Sequence, residues 1–272
     1  MSGTLTPEGA SRHQLLGVEV DAIPVDALTG YVAAAAKLRR RTLVANHNLH
    51  SVALFRSDDR LRDFYNLADL TFIDSTWLVR FGRLIGEPLR QHHRTTYLDW
   101  LDRLMLLCQA EGLKIAHVGA PAAVADQARE ELGRRYPGLR LVVHHGYFDV
   151  TKGSLESYDV LSWLEQEAPD LLLVGMGMPR QEHWIVDHFD LLPACVVLTS
   201  GACFGYIGGE QKSPPRWSGV VGLEWAFRLV AEPRRLWYRY LVEPLPVVGM
   251  VVRETFARRV LRRKAATPSG PR

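Results

Sequence analysis

Short apolar runs alternate with longer amphipathic stretches along most of this chain. The runs Gly17–Ile23, Thr42–Ala45, Leu70–Ile73, Lys114–Val118, Leu139–Val143, Leu171–Val174 and Ala194–Leu198 read as strands. Between them the pattern predicts helices over Val25–Arg40, Leu49–Phe55, Asp58–Leu67, Trp77–Leu84, Tyr97–Ala110, Pro121–Arg135 and Leu155–Glu167, with another opening at Pro179. Strands that alternate with helices in this way predict an α/β fold: a Rossmann-like, mostly parallel sheet with helices on both faces. After Gly209 the strand signal ends. Trp217–Val230, a segment after Pro233 reading RRLWYRYL, and Val247–Lys264 then predict a basic helical appendage.

The expected organisation is a flexible tail over 1–14, a catalytic domain over 15–209, the appendage over 210–264 and a disordered tail over 265–272. Charge supports this division. Residues 1–209 hold 20 Lys and Arg against 25 Asp and Glu, a net of −5, while residues 210–272 hold 13 against 5, a net of +8. A basic appendage on a mildly acidic body points to an anionic partner, whether membrane surface, nucleic acid or polyphosphate. The last helix sets Val248, Val251, Val252, Phe256 and Val260 against Arg253, Arg258, Arg259, Arg262 and Arg263, a pattern suited to an anionic bilayer or to packing on the body. No stretch has the ~20 apolar residues of a membrane span, and no signal-peptide core opens the chain. Cys108, Cys195 and Cys203 lie in apolar or glycine-rich surroundings and read as reduced, packed thiols.

Ligands of open parallel sheets bind beyond the strand C-termini. That rule gathers Asn48, Asp74, Gly119, Gly146, Gly175, Gly177 and Gly201. The stretch Leu171–Trp184 reads as strand, glycine turn and helix N-terminus, a place where backbone N–H groups favour an anion; Gln181 and Glu182 could then bond a sugar or base. The other reading is an ordinary turn with a solvated Gln-Glu pair. Asp74 ends an apolar strand, so it is either a general base in the crevice or the N-cap of the next helix. No HExxH, CxxC, DxD, Walker lysine, G-x-S-x-G elbow or complete GxGxxG is present, so neither a metal nor a cofactor is expected.

Several short motifs occur together in one order. They are Asn48-Leu49-His50-Ser51, Ala68-Asp69-Leu70 through Asp74, His117-Val118-Gly119-Ala120-Pro121, Gly146-Tyr147-Phe148 and Gly175-Met176-Gly177-Met178-Pro179-Arg180-Gln181-Glu182. Gly201-Ala202-Cys203-Phe204, Pro214-Pro215-Arg216-Trp217, Gly222-Leu223-Glu224-Trp225 and Glu232-Pro233-Arg234-Arg235 follow. Over residues 17–242 this succession resembles the WecG/TagA/CpsF glycosyltransferase family. The resemblance implies an inverting, metal-independent transfer from a UDP-sugar to a polyprenyl-diphosphate-linked saccharide in cell-surface polysaccharide synthesis. It also implies a cytoplasmic protein held peripherally on the inner face of the plasma membrane, with no nucleic-acid partner and with homo-oligomerisation left open.

Carried over by position, Asp74 is the base and Asn48 stands beside it. Gln181 and Glu182 match the donor-site pair, and Gly119, Gly146, Tyr147, Gly175 and Gly177 are candidates for substrate binding. Arg228, Arg234, Arg235 and Arg239 are candidates for the acceptor diphosphate, and Arg94 is a candidate to replace the family's arginine. Two departures stand out. Ser75 occupies a position where the family has glycine. The family's Glu-Arg-x-x-Gly-x-Asp segment is replaced by Gln91-His92-His93-Arg94-Thr95-Thr96-Tyr97, so donor sugar, acceptor sugar and linkage stay open. A non-catalytic nucleotide-sugar-binding subunit of a membrane assembly is the alternative, and a nucleotide-dependent oxidoreductase a third option.

Overall fold

The computed structural model describes residues 7, 9–211 and 213–266, with side chains as far as residue 258. Its strands are β1 (Ser11–Leu15), β2 (Val18–Ala22), β3 (Thr42–His47), β4 (Leu70–Ile73), β5 (Lys114–Gly119), β6 (Arg140–His144), β7 (Leu171–Gly175) and β8 (Val196–Thr199). The body helices are α1 (Val25–Lys37), α2 (Leu49–Phe55), α3 (Asp59–Leu67), α4 (Thr76–Ile85), α5 (Tyr97–Glu111), α6 (Ala122–Arg135), α7 (Leu155–Glu167), α8 (Arg180–His188) and α9 (Cys203–Ile207). Then come α10 (Arg216–Val221), α11 (Glu224–Ala231), α12 (Pro233–Trp237), a single π-helical turn over Tyr238–Val242 and α13 (Pro244–Ala266).

The strands form one sheet in the order β1-β2-β4-β3-β8-β7-β5-β6. All neighbours pair parallel except β1 with β2. Alternate residues of each central strand face opposite layers. Leu171 and Leu173 pack with α1, α5, α6 and α9, whereas Leu172 and Val174 pack with α3, α7 and α8. A third cluster joins β1 and β2 to α2 and α4 and takes in Val247 and Val251 of α13. The expected doubly covered sheet is therefore present, with helices continuing past it.

Two boundaries are corrected. Residues 11–14 are not tail: they begin β1, whose Arg12 pairs with Asp21 of β2 at 2.8 Å. The last helix reaches Ala266, so the expected disordered tail does not begin at 265. Residues 1–6, 8 and 267–272 of the two tails lie outside the described residues.

Strand-end glycines let the backbones close up. A Cβ on Gly119 would lie 2.4 Å from the Gly175 carbonyl oxygen and 2.7 Å from the Gly175 Cα. A paired strand backbone cannot yield as a flexible side chain can. We therefore expect Gly119→Ala to cost about 3 kcal/mol, the upper range of overpacking, read from urea denaturation midpoints.

Candidate active site

A cavity of about 530 Å³ opens beyond the C-terminal ends of β4, β3, β8 and β7 and is roofed by the appendage. Asp74 lies half-buried on its floor. It does not cap α4. Ser75 does so by accepting a bond from Leu78 N–H at 3.3 Å. Asp74 is thus left facing the cavity. Its closest side-chain partner is Asn46, whose Nδ2 donates to Asp74 Oδ2 at 3.4 Å, while Thr199 Oγ1 donates to Asn46 Oδ1 at 3.0 Å. Burial raises the Asp74 carboxyl to about 7. Arg94 opposes that shift, and Glu224 adds to it.

Of the expected residues, Asn48, Asp74, Gly177, Gln181, Arg228, Arg235 and Arg239 line the cavity. The Asn48 side chain accepts from Ser51 N–H and caps α2, so Asn46 rather than Asn48 is the asparagine that reaches Asp74. Gly119, Gly146, Tyr147, Gly175, Glu182, Arg94 and Arg234 are not among the described lining residues. For the glycines the reason is packing. Gly119 abuts both Gly175 and Gly146, and a Cβ on Gly146 would lie 2.8 Å from the Gly119 Cα. Tyr147 is exposed beside them at the β6 end. Arg234 is exposed. Arg94 is inserted between body and appendage, paired with Asp99 at 2.9 Å and Glu224 at 2.8 Å.

The stretch Leu171–Trp184 forms the expected strand, glycine turn and helix, and departs from expectation in its Gln-Glu pair. Helix α8 starts at Arg180 with Pro179 as its cap residue. The Gly177 N–H donates to Gln181 Oε1 at 3.1 Å, and Gln181 Nε2 donates to Glu182 Oε1 at 2.7 Å. The pair is neither solvated nor directed wholly at a ligand: both residues are buried, and they fix the turn from within. Burial raises the Glu182 carboxyl to about 7 from 4.5. A carboxyl raised by folding stabilises the fold while protonated, and this contribution is lost as pH rises through the folded value. We expect Glu182→Gln to remove up to about 3 kcal/mol of pH dependence between 4.5 and 7. Urea titrations at pH 5 and pH 8 would show a smaller difference in the variant than in the wild type.

Opposite Asp74 stand the appendage arginines. Arg228 lies over the Tyr206 ring, 5.7 Å from its centroid. The buried Arg239 Nε has no hydrogen-bond partner among the described residues, and burial holds this guanidinium below its ordinary range. A desolvated cation of this kind is stabilised by an arriving anion. Arg235 sits at the rim, paired with Glu232. Leu49, Trp77, Phe81, Pro244 and Val248 make up an apolar wall. Among the described residues no three His, Cys, Asp or Glu side chains converge as a metal site.

Sequence reading missed Asn46, Thr199, Tyr206 and Trp77. The first two carried a usable signal, since each is a polar residue at the end of an apolar strand run.

A parallel sheet with a strand-end acid beneath a basic helical roof agrees with the family that the sequence matches. The chain belongs to the glycosyl transferase WecG/TagA/CpsF family, whose profile matches residues 13–261. Similar curated proteins come from Staphylococcus aureus strains MRSA252 and NCTC 8325 / PS 47. Both are named N-acetylglucosaminyldiphosphoundecaprenol N-acetyl-beta-D-mannosaminyltransferase. Each is 28% identical over 174 residues, covering 64% of this chain and 66% of the relative. The match thus spans just under two thirds of the length of these relatives.

Proposed function

We propose that the protein is an inverting, metal-independent glycosyltransferase that moves a sugar from a UDP-sugar to a polyprenyl-diphosphate-linked saccharide in cell-surface polysaccharide synthesis. The observation that carries this reading is Asp74: a carboxyl raised to about 7, open to a cavity whose far side presents Arg228 and Arg239. A general base works best with a pKa near the operating pH. Asp74 takes the proton of the acceptor hydroxyl while that oxygen bonds to the anomeric carbon. The bond from that carbon to the UDP oxygen breaks on the opposite side, and UDP leaves as the anion. The arginines hold the acceptor diphosphate. The donor lies along Gly177 toward the exposed Tyr147 ring, which offers a face for the base. The names of the relatives support a diphosphate-linked polyprenyl acceptor.

The appendage supports a membrane-surface location, on the cytoplasmic side where nucleotide sugars are made. Val252 and Phe256 of α13 are exposed while Val247 and Val251 pack on the body, so this helix keeps an apolar strip without a protein partner among the described residues. Trp217, Trp237 and Tyr238 are exposed nearby in sequence, and aromatic residues favour the bilayer interface. No helix of the described residues is long and apolar enough to cross a membrane.

The test is UDP release from a panel of UDP-sugars, with and without polyprenyl-diphosphate-linked monosaccharides, in chelator. Acceptor-dependent release with one donor establishes transfer without added metal. UDP binding without release across the panel points instead to the non-catalytic subunit.

A further inference from the structure

Two glutamates of the appendage reach the body, and each stands one helical turn from an arginine of the cavity. Glu224 opens α11, and Arg228 follows it by four residues. Glu243 directly follows the π turn, and Arg239 precedes it by four. Residues at this spacing share a helix face. Among the described residues neither arginine forms an ion pair with its neighbouring glutamate. The glutamates reach the body instead.

Glu224 Oε1 accepts from Arg94 Nη2 at 2.8 Å, and Asp99 holds the other end of that guanidinium at 2.9 Å. Arg94 is itself fixed: its side chain is only 5% exposed, and its backbone bridges to Ile73, the residue before Asp74. Glu243 Oε2 accepts from His50 Nδ1 at 2.5 Å. Burial, then Arg239, lowers His50, and Glu243 opposes that shift. Further bonds place the start of α11. Thr76 Oγ1 donates to the Gly219 carbonyl at 2.6 Å and Trp77 Nε1 to the Gly222 carbonyl at 2.7 Å.

We propose that Glu224 and Glu243 are positioning residues: by docking on Arg94 and His50 they fix α11 and the π turn at the rotation that presents Arg228 and Arg239 to the substrate diphosphate. The assignment rests on the proposed function for the arginines' role. It gives Arg94 a place other than substrate contact, which the altered Gln91–Tyr97 segment alone did not show. It also reverses a simple charge argument. Glu224 lines the cavity, and removing a carboxylate near an anion site should tighten anion binding. Positioning requires the opposite sign.

Inorganic pyrophosphate is the probe, titrated calorimetrically against the full chain, with UDP release measured in parallel. Glu224→Ala and Glu243→Ala should each weaken pyrophosphate binding roughly tenfold or more, the scale of one charge-assisted hydrogen bond. Glu224→Gln keeps an oxygen acceptor for Arg94 and should retain most of the affinity. Gly219→Ala disturbs the pair without changing a charge. A Cβ there would lie 2.4 Å from Glu224 Oε1 and 2.7 Å from Arg94 Nη2. Alanine favours a helix more than glycine does, so this variant should fold and still bind more weakly, and it carries the test if Glu224→Ala melts. Variant affinities within about twofold of wild type, the ordinary scatter of remote substitutions, or tighter ones, overturn the proposal while leaving the proposed function standing. Wild-type protein that binds no pyrophosphate overturns the proposal, and the proposed function falls with it only where acceptor-dependent UDP release is also absent.

Discussion

Asp74→Asn lowers turnover by roughly 10³-fold, within the usual range for loss of a general base, and leaves UDP binding in place. Asparagine keeps the shape of the side chain and its contact with Asn46, so the variant removes proton uptake and little else. Wild-type turnover should rise with pH below about 7 and level off above it, because Asp74 acts only when ionised and its carboxyl stands at about 7. The variant's residual rate should lose that limb. Stability moves the other way. The folded state holds the Asp74 proton more tightly than the unfolded chain, whose value is 3.8. The contribution is complete below 3.8 and lost as pH rises through 7, so above pH 7 the wild type bears the cost of a desolvated carboxylate. Asp74→Asn should therefore melt higher than wild type at pH 8 and close to it at pH 5. Full turnover in the variant would remove Asp74 as the base.

Arg239→Ala should reduce kcat/KM for the lipid-linked acceptor by about 100-fold, as expected when a buried charge-assisted contact to an anion is truncated. Arg239 lies inside the π turn, and its Nε lacks a partner among the described residues. Burial already disfavours its charged form, so pairing with a diphosphate returns part of that cost. Arg234→Ala, in contrast, alters an exposed side chain outside the described lining and should change kcat/KM little at high salt, where exposed charges are screened. Acceptor kinetics on the two variants side by side separate a specific diphosphate contact from general basicity. Equal losses in both would assign the appendage arginines a diffuse attraction only.

These expectations draw unequally on sequence and structure. The parallel sheet was legible because β3, β4, β5, β7 and β8 are buried on both faces and read as continuous apolar runs. Strand β1 was not. Its sequence, SRHQL, carries little apolar alternation because one edge strand can rest on ladder bonds and the Arg12–Asp21 pair. Asp74 was legible as a strand-end acid, although whether it capped α4 depended on Ser75. The division of the glycines was hidden for a different reason. Gly177 and Gly119 both follow strand signals, but only the spatial order of β7 and β5 decides which faces the cavity and which faces another backbone. The pairing of Arg94 was hidden because its partner Glu224 lies 130 residues away. Nothing local to Gln91–Tyr97 distinguishes an anchoring arginine from a ligand-binding one.

The three cysteines have a practical consequence. Cys108, Cys195 and Cys203 are buried, and burial pushes each thiol up to about 12. Alkylating reagents attack the thiolate, so the native protein should be nearly silent toward maleimides at neutral pH. A cysteine placed at an exposed site such as Val252 would then be the one reactive thiol on an otherwise natural chain. A fluorophore or spin label attached there can report on the depth of α13 at a bilayer without first replacing the three residues packed in the core.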